Sequence, residues 1–179
     1  MQRLIFFAHQ IDKLSDFFGV VAKWAVFLSC FISAGNAVVR YLFDYSSNSW
    51  LEIQWYMFAA CVMLGSAQVL RVNEHVRVDV FYGRLSSRTK VKIDIFGLLF
   101  FLIPVMFLMF YLSFPLFLKM FLSGEMSNSA GGLIRWPAML MLPLGFAILI
   151  LQALAEIIKR VAWLNNRYQM DIHYERPLQ

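Results

Sequence analysis

The sequence predicts an all-α integral membrane protein. Four transmembrane helices with both termini in the cytoplasm follow an amphipathic helix at the membrane surface. Three observations predict this. First, 60% of the 179 residues are apolar and only 15% are charged, against about 45–50% and about 25% in ordinary soluble domains. Second, four stretches reach the length of about 20 apolar residues that a helix needs to cross a bilayer core. Third, the basic residues fall unevenly between the segments that join those stretches. A soluble fold of this composition would expose large apolar patches to water. That argues against a soluble enzyme and against a disordered tail. The length suits one domain, residues 1–179.

The elements follow in chain order. Over residues 3–18, Leu4, Phe7, Ala8, Ile11, Leu14 and Phe18 alternate at helical spacing with His9, Asp12, Lys13 and Asp16. This two-faced pattern predicts a helix lying in the cytoplasmic interface, with Gly19 turning the chain into the bilayer. Asp12 and Asp16 interrupt any signal-peptide core, and no small-x-small cleavage site follows, so cleavage is not expected. The first span covers about 24–43, broken by Asn36 and Arg40. The second covers about 50–70, with Glu52 at its start. A cytoplasmic loop, 71–92, leads to the uncharged third span, about 95–118. A periplasmic loop, 119–135, leads to the uncharged fourth, about 136–155. Backbone polar groups in lipid must bond within their own segment, so the spans are helices. Pro104 and Pro115 should kink the third and Pro143 the fourth. Trp24, Trp50 and Trp136 mark span ends, where amphipathic rings prefer the interface.

Orientation follows from lysine and arginine. Thirteen of the 16 lie in the N-terminal segment, the 71–92 loop and the C-terminal tail; only Arg40, Lys119 and Arg135 lie on the other side. The positive-inside rule puts both termini in the cytoplasm. The basic surface suits anionic lipid rather than nucleic acid.

Candidate chemistry is sparse. Glu52 is the foremost ionisable group near a span. With Ser49 it has the spacing of a capping box, in which each side chain serves a free backbone N–H of the helix start. Contact with a partner protein and a proton- or ion-coupling role are the other readings. Asn36, Gln54 and Gln68 are polar and neutral. Ser29, Ser33 and Asn36 share one face of the first span, and Ala59, Val62 and Ser66 one face of the second. Such small faces let membrane helices approach. Cys30 and Cys61 sit in apolar runs and read as buried thiols. His9, His75 and His173 lie outside the spans, so no haem can be clamped between helices. No cluster has metal-ligand spacing, and neither a phosphate loop nor a Ser–His–acid set is present. No metal site, cofactor or catalytic residue is expected. From Glu74 to Val80 polar and apolar residues alternate, so in an extended stretch His75, Arg77 and Asp79 would face one way.

At this loop the sequence resembles a known family: the small membrane subunit (DctQ type) of tripartite ATP-independent periplasmic (TRAP) transporters. The resemblance runs through Leu51-Glu52-Ile53-Gln54-Trp55-Tyr56, Gly65-Ser66-Ala67 and Asn73-Glu74-His75-Val76-Arg77-Val78-Asp79-Val80-Phe81-Tyr82. It continues through Arg84-Leu85-Ser86-Ser87-Arg88, Gly131-Gly132-Leu133-Ile134-Arg135-Trp136-Pro137 and Pro143-Leu144-Gly145-Phe146. Glu74 stands where the family often has Gly before His-x-Arg-x-Asp. The resemblance implies a bacterial inner-membrane subunit that works with a large membrane subunit and a periplasmic solute-binding protein. The large subunit would carry the substrate and sodium sites and move in an elevator-like way; this chain would be a fixed scaffold beside it. The imported solute would be an organic acid anion of the C4-dicarboxylate, 2-oxo acid or sialic acid class. Glu52, Gln54, Trp55, His75, Arg77 and Asp79 become the candidates for structural or partner contact. The alternative is a stand-alone four-helix proton-coupled exporter using Glu52. A membrane redox enzyme has the least support, for want of histidines at membrane depth.

Overall fold

A computed structural model describes residues 1–73 and 85–169. Regular structure there is helical apart from an isolated bridge between Met126 and Ile134. The elements are α1 (Gln2–Phe43), α2 (Asn48–Val72), α3 (Ser87–Gly97), a π-helical turn (Leu98–Leu102), α4 (Ile103–Ser123) and α5 (Trp136–Leu164). Four stretches, with α3, the π turn and α4 running together as one, are long and apolar enough to cross a membrane.

The first helix is unbroken over 42 residues, about 63 Å at 1.5 Å per residue. The turn expected at Gly19 is absent. Gly19 is buried within the helix, and the Gln68 side chain of α2 fills the space a Cβ would need. Glycine here permits close approach, not a change of direction. The buried positions Ala8, Ser15, Ala22, Ser29 and Asn36 recur every seven residues. This repeat keeps a narrow seam on one side of a very long helix. It also accounts for two departures from the expected faces. Ser33 falls off the repeat and is exposed, and so is Cys30; Cys61 is only partly covered. On α2, Val62 also points outward.

The α1 and α2 helices form an antiparallel hairpin. Its register runs from the Asp16–Arg71 ion pair through the contacts Gly19–Gln68, Ala22–Gly65 and Gly35–Trp50. Asp44 and Asn73 leave their helices in the left-handed region, at φ 50° and 61°, which Asp and Asn tolerate better than most residues.

Helix α5 is the hub, packing on α1, α2, the π turn and α4. Its buried residues Gly145, Gln152 and Lys159, with Ile148, Ala155 and Ala162, keep two seven-residue series, the knob pattern of packed helical seams. Leu64, Ala67 and Ile148 form one apolar cluster, Leu70, Leu98 and Ala153 a second, and Ala8, Ile11 and Ala155 a third. At Gly145 an added Cβ would lie 2.7 Å from Met63 Cβ and 2.8 Å from its carbonyl oxygen, so only glycine lets α2 and α5 come this close.

The third span sits at the margin, and most of its surface faces outward. The π turn closes with the Ile103 N–H on the Leu98 carbonyl. It lies immediately before Pro104, whose missing N–H breaks the ordinary helical ladder.

Candidate functional site

Polar side chains gather at the two ends of the bundle. At the end marked by Trp50 and Trp136, α2 grips the loop between α4 and α5. That loop folds back on itself: Ser127 N–H donates to Leu133 O at 2.9 Å, Arg135 N–H to Glu125 O at 3.0 Å, and Arg135 Nη1 to Glu125 Oε1 at 2.6 Å. Gly131 supplies a positive φ of 70° in the turn. Asn48, Glu52 and Tyr56 lie four residues apart and so share one helix face; Ser49 lies beside them. Asn48 Nδ2 donates to Ala130 O at 3.0 Å, Ser49 Oγ to Gly131 O, and Tyr56 Oη to Ile134 O at 3.1 Å. Buried Glu52 accepts from Ser127 Oγ with one oxygen and from Leu133 N–H, at 2.7 Å, with the other. Gly132 is packed so closely that an added Cβ would sit 2.5 Å from Ser127 Cβ and 3.0 Å from Glu52 Oε1.

These contacts correct the expected capping box. Ser47 is the N-cap of α2 and makes no side-chain cap, while Ser49 and Glu52 both spend their polar atoms on the distant loop. A charge-assisted bond to an otherwise unpaired loop N–H is worth more than a bond at a solvated helix end.

At the Arg71 end, the C-terminal half of α5 holds a buried polar network. Gln152 is 0% exposed. Its amide oxygen accepts from Ser15 Oγ at 2.7 Å, and its nitrogen donates to Asp12 Oδ1 at 2.9 Å and Glu156 Oε1 at 3.1 Å. Lys159 Nζ lies between two carboxylates, 2.9 Å from Asp12 and 2.5 Å from Glu156. Arg160 pairs with the other oxygen of Glu156 and reaches Asp94 of α3 at 3.4 Å. His9 Nδ1 stands 3.6 Å from Asp12. The network therefore joins α1, α3 and α5, while Asp16–Arg71 ties α1 to α2 at the same end. Each buried charge has an opposite charge beside it, the condition under which ions tolerate a low-dielectric site.

The sequence candidates divide accordingly. Glu52 stands at the centre of the loop clamp. Gln54, two residues on, has its amide nitrogen buried without a partner among the described residues. Trp55 points away from the bundle, 69% exposed. His75, Arg77 and Asp79 lie outside the described residues. Sequence reasoning missed Asp12, Ser15, Gln152, Glu156, Lys159 and Arg160 as one unit. Their signal was present: polar Gln152 and the opposite charges of Glu156, Lys159 and Arg160 follow helical i, i+4, i+7, i+8 spacing. Among the described residues no group of three or more His, Cys, Asp or Glu could hold a metal ion.

Comparison with known families matches residues 29–162, about three quarters of the chain, to the model described as "Tripartite ATP-independent periplasmic transporters, DctQ component". No match is found among curated proteins or solved structures.

Two substitutions test the two ends. Lys159→Ala should destabilise the detergent-solubilised protein by about 3–5 kcal/mol, because it leaves buried carboxylates short of a cation. The double change Asp12→Leu with Lys159→Met should recover most of that loss in thermal melts. Equal losses would mean that the pairing carries no special weight. At the other end, Glu52→Ala should raise amide exchange at Leu133 on the order of tenfold by removing its acceptor. Unchanged exchange would show that the loop does not depend on the clamp.

Proposed function

The chain belongs to the DctQ family of TRAP transporter components, and from that membership we propose that it is the static bracing subunit of a sodium-driven importer of an organic acid anion. The family works with the large DctM subunit and a periplasmic binding protein, and as a transporter component it is not an enzyme. In our reading the Arg71 end faces the cytoplasm with both termini, and the clamped loop faces the periplasm of a bacterial inner membrane. The positive-inside asymmetry supports that orientation. The hairpin register shifts the first crossing: Asp16 lies level with Arg71 and Gly35 with Trp50. We therefore place it at about residues 16–36, earlier than hydropathy alone suggests.

The observation that carries the proposal is the distribution of buried charge. Among the described residues the buried charged groups are Glu52 at one end and Asp12, Glu156, Lys159 and Arg160 at the other. Between them the buried seam is made mainly of small and apolar side chains such as Ala22, Ala25, Leu64, Ala67 and Ile148. A translocation path for an anion or a proton needs polar groups at mid-membrane. A brace needs its polar groups locked at the ends and tight packing between, which is the arrangement here. The exporter reading gains nothing from Glu52, whose two oxygens are both engaged by the loop.

The substrate class and sodium coupling rest on the family and not on any group in this chain. The test is reconstitution of the large subunit and binding protein in proteoliposomes with and without this chain. Uptake of the anion under an inward sodium gradient should require it, and Glu52→Gln should alter the rate without altering which anions compete. Full uptake in its absence, or a changed competition profile, would overturn the proposal.

A further inference from the structure

The third span carries an anomaly on its outer surface. The rings of Phe121 and Trp136 meet edge to face at 5.4 Å, so α4 and α5 are level there, at the interfacial end of α5. Tyr111 lies ten residues before Phe121 on α4, about 15 Å deeper at 1.5 Å per residue. Half of a roughly 30 Å hydrocarbon core is about the same distance. Tyr111 is thus at mid-membrane, and its side chain is 67% exposed. No described residue bonds its hydroxyl. Tyrosines in membrane proteins favour the interfaces, where the hydroxyl stays wet. From the middle of the core the ring is too short to carry its hydroxyl back to water. A hydroxyl in hydrocarbon without a partner is disfavoured.

The backbone repeats the problem at the same point. Pro115 lies inside α4 and has no N–H to offer the Tyr111 carbonyl, its partner in an ordinary helix. Ser113, the nearest hydroxyl along the chain, instead donates to Phe110 O at 3.2 Å. Pro104 lies one turn after Phe100, just past the π turn that shifts the backbone bonding there. Phe100, Pro104, Phe107, Tyr111, Pro115 and Leu118 recur at helical spacing on one ridge, and all are exposed. By contrast Phe31 on the outer face of α1 and Val62 on that of α2 are exposed apolar residues in unbroken helix without proline.

Lipid tails can cover the apolar ridge but offer nothing to a hydroxyl or to a freed carbonyl. In membrane proteins such groups are satisfied by neighbouring helices. We infer that the Tyr111 ridge of the third span is the seam on which the large subunit docks, through a transmembrane helix that presents a hydroxyl or amide side chain at mid-membrane. The inference rests on the proposed subunit role and deepens it by assigning the face. On one such helix a serine, threonine, asparagine or glutamine can accept from the Tyr111 hydroxyl, and another a turn or two away can donate to its carbonyl. The hydrogen-bonding need of this face thereby matches what a second polytopic subunit supplies. At Phe31 and Val62, by comparison, the exposed side chains carry no polar group and the helix has no proline.

The test places a photo-crosslinking amino acid at Phe107, Tyr111, Phe31 or Val62 in turn, within the complex assembled with its large subunit. Adducts to the large subunit from Phe107 and Tyr111, with none from Phe31 or Val62, are expected. Adducts from Phe31 or Val62 alone, or from Tyr111 to a second copy of this chain, would overturn the assignment while leaving the subunit role standing. Failure of the unmodified chain to co-purify with the large subunit would defeat the subunit role itself. A separate variant, Tyr111→Phe, keeps the ring and the fold. It should weaken subunit association roughly three- to twentyfold, the range expected for one interhelical hydrogen bond in a membrane. If the face met only lipid, removing the hydroxyl would leave association unchanged, and that result would also overturn the assignment.

Discussion

Lys159 sits between the carboxylates of Asp12 and Glu156, and the architecture depends on that arrangement. Burying charge is costly unless an opposite charge lies beside it, and here the lysine and the acids supply one another. The consequence is geometric. Asp12 belongs to the first helix and Glu156 to the last, so satisfying the charge fixes the axial register of α1 against α5. Apolar packing cannot do this alone, because a seam of alanines slides with little penalty. Gln152 and Ser15 add a second polar layer to the same seam, and Arg160 extends it to Asp94 of α3. Polar layers in an otherwise apolar seam are a known means of setting register.

At the opposite end the same logic works through a loop. Glu52 is held by a serine hydroxyl and a backbone N–H more than seventy residues away. That fixes the entrance of α5 against the start of α2. With both ends pinned, the small residues between them can close the helices to near backbone contact, as at Gly145 and Met63. The third span is tied near its ends, through Asp94 to Arg160 and through the loop held by Glu52. It rests on α5 along one side and offers the rest of its surface outward. In the proposed bracing role, α1, α2 and α5 would form the fixed part and the outer surface of the third span the separate face.

Much of this was legible in the sequence, for reasons that individual residues make plain. The spans follow from length and apolarity, which depend only on bilayer thickness. The prolines mark where the third span is irregular but do not say that the irregularity is a π turn, because that depends on how neighbouring carbonyls are satisfied. Gly19 reads as a turn to any local rule; the Gln68 side chain that needs its space lies 49 positions along. Glu52 stands out in the sequence, but the nearby Ser49 offers a local partner, whereas the partners in the structure are distant along the chain. The seven-residue recurrence from Ala8 to Asn36 was present throughout, though residues 3–18 and 24–43 were read as separate elements and the repeat crosses both. Lys159 and Arg160 add to the positive-inside count like any surface cation, and nothing in such a count marks them as buried.

Rigidity of the brace during transport is the central claim, and a cross-link tests it most directly. Ala22 Cβ lies 3.4 Å from the position a Gly65 Cβ would take, close to the separation found in disulfides. Cysteines at these two positions, in a chain with Cys30 and Cys61 replaced by alanine, should bridge α1 to α2 on oxidation. If the hairpin stays fixed while the large subunit moves, the oxidised complex imports its solute at the same rate as the reduced one. An uptake that stops on oxidation and returns with reductant would show that these helices move apart in the cycle, and would contradict the account.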